Sequence, residues 1–154
     1  MTPEQLVIGA IRIFGSLLVF RWLFVGAIIA IIVDFSDLFW MGWLDLGGLG
    51  NYQEFDKWLD LAYMLAFFVI SLRWDSVPRN VSMNLFVFRF VGFILFSTTG
   101  NRLFLLIFPN VFEFWFLFVA ATKHWRPSYQ LNYRKAGFWL LVCLSFKMIQ
   151  EWIL

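Results

Sequence analysis

The stretch IFGSLLVFRWLFVGAIIAIIV, residues 13–33, holds 21 residues with Arg21 as the only charge. Crossing the hydrocarbon of a bilayer takes a helix of about 20 apolar residues, so this run alone asks for a membrane rather than a soluble core. The rest of the 154-residue chain agrees: 62% of it is hydrophobic, 22% aromatic and only 14% charged, with a mean hydropathy of +0.77. Soluble domains carry about a quarter of their residues as charges. The expected fold class is therefore all-α, a polytopic transmembrane helical bundle filling one membrane domain over residues 1–154. A barrel is not expected, because these unbroken runs lack the alternation that its strands require.

Working outward, four more segments are apolar and long enough to span, giving about five: 13–33, 57–72, 80–99, 103–122 and 136–154. Gln5–Ile13 reads as an interfacial extension of the first. Asp34–Phe55 reads as a loop at headgroup level, with Gly42, Gly47, Gly48 and Gly50 for turns and Phe39, Trp40 and Trp43 as interfacial aromatics. Only Thr99-Gly100-Asn101-Arg102 separates the third and fourth segments, which predicts a tight antiparallel hairpin. Lys123–Lys135 is a basic loop. With five spans, the N-terminus, Arg73–Arg79 and Lys123–Lys135 share one side, which collects most of the Lys and Arg. The positive-inside rule then places the N-terminus in the cytoplasm and the C-terminus outside.

Several functions are disfavoured by inventory. One histidine, His124, cannot supply bis-His haem ligation and makes a histidine zinc site improbable. One cysteine, Cys143, excludes an internal disulfide. The net charge of +2 comes without the basic stripe that nucleic acid demands.

Charges placed among apolar residues are costly, so each is a candidate functional group. Arg89 lies 12 residues before Asn101 and Glu113 lies 12 after it. Across an antiparallel hairpin that spacing puts them at one depth, about 18 Å from the turn, and an Arg89–Glu113 ion pair is expected. Asn110 shares the face of Glu113, Pro109 frees a carbonyl one turn earlier, and Arg21 sits at a similar depth. These four make either a buried clamp or a polar path. A second polar layer comprises Lys147, Gln150 and Glu151 on the last segment.

The stretch NYQEFDKWLD, residues 51–60, adds the densest carboxylates. Asp34 and Asp37 form D-x2-D; Asp56 and Asp60 form D-x3-D, starting 22 residues after Asp34. This pattern resembles the signature of the CDP-alcohol phosphotransferases, membrane enzymes that join a CDP-linked group to an alcohol in phospholipid synthesis. The resemblance implies Asp34, Asp37 and Asp56 as ligands of Mg²⁺ or Mn²⁺, and Asp60 as the base toward the acceptor alcohol. Where that family carries glycine, alanine-arginine and glycine, this chain has Leu38, Met41-Gly42 and Tyr52. The chain also resembles small uncharacterised bacterial integral membrane proteins with an FPNxFE-type helix and a QE-containing last helix, here Phe108–Glu113 and Gln150-Glu151.

Three functional classes follow. The first and favoured one is a non-catalytic membrane subunit or assembly protein, with membrane lipids and other subunits or further copies of itself as partners and no nucleic acid. The second is a divalent-metal-dependent lipid enzyme using the aspartates. The third is a small oligomeric transporter or channel drawing on Arg21, Arg89, Glu113 and Asp60. Tyr52 and the missing small residues, which would admit a nucleotide, weigh toward the first.

Overall fold

The computed structural model describes the backbone of residues 3–43 and 52–153 and the side chains of residues 5–36 and 55–153. The described residues are helical, without strands. They run α1 (Pro3–Leu17), a 3-10 turn (Leu18–Phe20), α2 (Leu23–Trp43), α3 (Tyr52–Ser71), α4 (Ser76–Thr99), α5 (Leu103–Ile107), α6 (Val111–Trp125) and α7 (Tyr133–Ile153). They fall into two compact units, Met1–Phe67 and Phe68–Leu154. Three helical segments, Ser76–Thr99, Leu103–Trp125 and Tyr133–Ile153, are long and apolar enough to cross a membrane.

In the first unit, the helix expected over 13–33 is two helices. The chain leaves α1 through the 3-10 turn, and α1 folds back along α2. No proline marks the break; small residues on the facing sides permit it. A Cβ placed on Gly26 would lie 2.4 Å from the backbone nitrogen of Val19, and one on Gly15 would lie 3.5 Å from a methyl of Val33. Buried Gln5, Gly9, Arg12 and Ser16 mark the packed stripe of α1, recurring every three or four residues, and buried Val19 continues it into the 3-10 turn. Arg21 sits exposed where the chain turns, not at mid-depth in a single span. The expected loop at 34–55 is also largely helical: α2 continues to Trp43 and α3 begins at Tyr52. The side chains of Asp37, Phe39, Trp40, Gly42 and Trp43 lie outside the described residues, as do Gly47, Gly48 and Gly50 and the side chain of Tyr52.

In the second unit, α4 ends on Gly100, whose φ of +68° is the left-handed geometry that closes a helix. The apolar segment that follows is interrupted at Phe108–Asn110, between α5 and α6, because Pro109 cannot donate to the helix. Phe88 and Gly92 of α4 meet Phe108, Phe86 meets Phe112, and buried Ser82 accepts a 3.1 Å hydrogen bond from Trp115 Nε1. Half of the apolar window of α5–α6 is buried, against 22% in α4 and 17% in α7, so α6 is the central helix of this unit. Phe112, Trp115, Phe116 and Ala120 are fully enclosed, while Phe138, Leu141, Phe146 and Trp152 of α7 face outward.

Close packing at glycine gives a direct test. Gly26→Ala drives a methyl into rigid backbone, and Gly92→Ala places one 2.4 Å from Phe108 Cβ. Each is expected to lower stability in detergent by about 1–3 kcal/mol. Gly137→Ala meets nothing within 4 Å and is expected to be neutral or to stabilise by up to about 1 kcal/mol through helix propensity. Equal denaturation midpoints for Gly26→Ala and the parent would contradict the fold-back.

Candidate functional site: a guanidinium among three carboxylates

α1 carries Arg12 on its packed stripe, and the fold-back brings it level with Asp34 of α2. Asp56 and Asp60 are one turn apart on α3 and project together. The Arg12 guanidinium is the meeting point of all three carboxylates. Nη1 donates to Asp56 Oδ1 at 2.6 Å; Nη2 donates to Asp60 Oδ1 at 2.7 Å and to Asp34 Oδ1. Its side chain is only 4% exposed, whereas those of Asp34, Asp56 and Asp60 are 15–27% exposed. Lys57 Nζ bridges the outer oxygens, 3.2 Å from Asp56 Oδ2 and 3.2 Å from Asp60 Oδ2.

The electrostatics are those of a closed polar knot. Burial works against the charge of Arg12, but Asp34, Asp60 and Asp56 outweigh it and hold the guanidinium protonated above its ordinary range. Among the described residues, three carboxylates against two cations sum formally to −1. A planar fork of donors suits the arrangement, since one guanidinium can serve several carboxylates where an ammonium acts as a point charge.

Of the residues expected to bind metal, Asp34 and Asp56 are thus brought together with Asp60, while the side chain of Asp37 lies outside the described residues. The point on which the carboxylates converge is filled by a guanidinium. Among the described residues no group of three or more His, Cys, Asp or Glu is placed to hold a metal ion. Arg12 is the residue that sequence reasoning missed. Its signal was present, an arginine on the buried register of an amphipathic helix, but it becomes visible only once 13–33 is split.

The second unit has its own cation. The expected Arg89–Glu113 pair gives way to a different contact: Arg89 Nη1 donates to the carbonyls of Leu105, at 3.2 Å, and Phe108, at 2.8 Å. Pro109 is the reason. It leaves the Leu105 carbonyl without its i+4 donor, and Arg89 supplies the missing hydrogens. Buried Glu113 instead accepts from Asn110 Nδ2 at 3.3 Å, in the first turn of α6, where the helix dipole favours a negative charge. Lys147 is buried on α7 and finds partners on its own helix, Gln150 Oε1 at 3.2 Å and Glu151 Oε1 at 3.4 Å. Cys143 is buried.

Two mutational cycles read these contacts. Arg12→Met removes the guanidinium from the clustered carboxylates and is expected to cost about 3–5 kcal/mol. Adding Asp34→Asn and Asp60→Asn should recover much of that loss, whereas additive losses would refute the knot. Arg89→Leu should cost about 1–3 kcal/mol in the parent and clearly less with Pro109→Ala, which returns an N–H to Leu105. An equal cost on both backgrounds would refute the carbonyl role. No protein family, no curated protein and no solved structure matches this chain.

Proposed function

We propose that the chain is an integral, multi-pass membrane protein acting as a non-catalytic helical subunit or assembly protein. Its apolar exterior is met by lipid and by neighbouring subunits or further copies of the chain. The single observation that carries this reading is the buried Arg12 at the centre of Asp34, Asp56 and Asp60. Carboxylates already paired with a guanidinium, two of them also with Lys57, hold helices together rather than await a cation.

The three segments of the second unit supply crossings, and α2 and α3, of 21 and 20 residues, are long enough to add two more. Pairs from Phe88–Phe108 to Ser82–Trp115 support reading α4 and α5–α6 as the tight antiparallel hairpin. Arg73, Arg79, Lys123, Arg126, Arg134 and Lys135 flank one end of these segments and Arg102 the other. The charge bias therefore assigns the first end to the cytoplasm and the C-terminus to the outside. A cytoplasmic N-terminus was inferred from a single helix over 13–33, and that basis is lost with the fold-back.

A second reading, a lipid enzyme resembling the CDP-alcohol phosphotransferases, draws support from the convergence of Asp34, Asp56 and Asp60 at the family's spacing. It requires Arg12 to leave the cluster. Calorimetric titration of Mg²⁺ and Mn²⁺ into the full chain in detergent separates the two. The subunit reading expects no saturable binding in the parent and none in Asp56→Asn. Saturable binding in the parent that Asp56→Asn abolishes would overturn it in favour of the enzyme. For transport, Arg21 on an exposed turn and Arg89 bonded to backbone leave the proposed path without two of its members.

A further inference from the structure

The second unit carries a group of cations that the preceding reading uses only for sidedness. From the last turn of α6 to the first turn of α7, residues 123–135 read KHWRPSYQLNYRK, with four Lys or Arg and no carboxylate. The segment is organised on Tyr129. Its amide donates to the Arg126 carbonyl at 2.9 Å, its hydroxyl accepts from Trp139 Nε1 at 3.4 Å, and Lys135 Nζ lies 4.9 Å from its ring centroid. Asn132 caps α7, accepting from the Lys135 amide at 2.9 Å, which fixes the base of that lysine.

Two hollows flank Tyr129. The one toward Asp75, about 280 Å³, is already neutralised, since Lys123 Nζ stands 3.6 Å from Asp75 Oδ2. The other is an open groove of about 360 Å³, lined by Phe118, Ala121, Trp125, Arg126, Tyr129 and Trp139. It has no acid in its wall. Arg126 lines it beside Tyr129, and Lys135 Nζ adjoins the ring of that tyrosine; Phe118, stacked on Trp139 at 4.7 Å, and Ala121 line its apolar part along α6. A cationic head over an aromatic and aliphatic trough, at the end of two helices long enough to cross a membrane, matches one chemistry.

We infer that the groove between α6 and α7 binds an anionic phospholipid, with Arg126 and Lys135 taking the phosphate and the Phe118–Trp139 trough taking the start of an acyl chain. Free phosphate would use the cations but leave the apolar length of the groove unexplained, so the occupant is the lipid. The inference rests on the multi-pass membrane reading given above. Aromatic rings favour this depth because they bridge wet and apolar surroundings, and each nearby basic residue adds to the attraction for anionic headgroups.

The test uses the full chain in neutral detergent, titrated with fluorescent phosphatidylglycerol and fluorescent phosphatidylcholine. The parent should bind phosphatidylglycerol at least tenfold more tightly, roughly as two basic contacts allow. Arg126→Gln with Lys135→Gln should remove most of that preference, while Arg102→Gln, an equal change of charge per residue at the other turn, should not. Equal affinity for the two lipids overturns the proposal without needing any variant. So does a preference that survives the double substitution, or one abolished equally by Arg102→Gln. Complete competition by millimolar inorganic phosphate would assign the site to a free anion and also overturn it. Extraction from membranes by alkaline carbonate, without detergent, would instead overturn the membrane reading beneath it.

Discussion

One guanidinium shared among three carboxylates is the constraint from which the first unit follows. A carboxylate near hydrocarbon needs a partner or water, and a buried arginine needs its donors filled. Arg12 satisfies Asp34, Asp56 and Asp60 together, and can do so only if α1 lies against α2 with the start of α3 alongside. Gly15 and Gly26 allow that approach by omitting side chains where Val33 and Val19 come near. Polar pairing therefore selects the arrangement, and small residues make it sterically possible.

The second unit uses the same principle on a different fault. Pro109 breaks an otherwise continuous apolar helix and frees carbonyls that apolar surroundings cannot solvate. Arg89, reaching from α4, closes two of them. Gly92, one turn further along α4, lets Phe108 come close. In both units an arginine fastens helices from within, and that use of charge is structural before it is chemical. The basic segment around Tyr129 differs: Lys135 Nζ lies over the tyrosine ring and Arg126 lines the open groove beside it.

Much of the architecture was legible in the sequence because long apolar runs admit little besides helices. The starts and ends of α4 and α7 fell within a few residues of expectation, and Gly100 announced the turn after α4. Asn110 and Glu113 were expected on one face and are hydrogen bonded. Three features were not legible. The break at 18–22 lies in LVFRW, without proline or glycine, because tertiary packing on Gly26 rather than local propensity decides it. Arg89 was assigned to Glu113 by equal spacing from the turn, but the proline break created a nearer demand for its donors. The spacing of the aspartates correctly drew attention to Asp34, Asp56 and Asp60, yet gave no hint that their countercharge comes from Arg12, because that contact requires the helix to fold back.

The most direct measurement is disulfide formation between Gly15→Cys and Val33→Cys in a Cys143→Ala background. A Cβ on Gly15 lies 3.7 Å from Val33 Cβ, within the range that a disulfide accepts, whereas one continuous helix would separate the two positions by about 27 Å. The account predicts rapid intramolecular cross-linking under mild oxidant, slowed markedly by Arg12→Met. Absence of the cross-link in the Arg12 protein, or a yield indifferent to Arg12→Met, would contradict the claim that this arginine holds the fold-back in place.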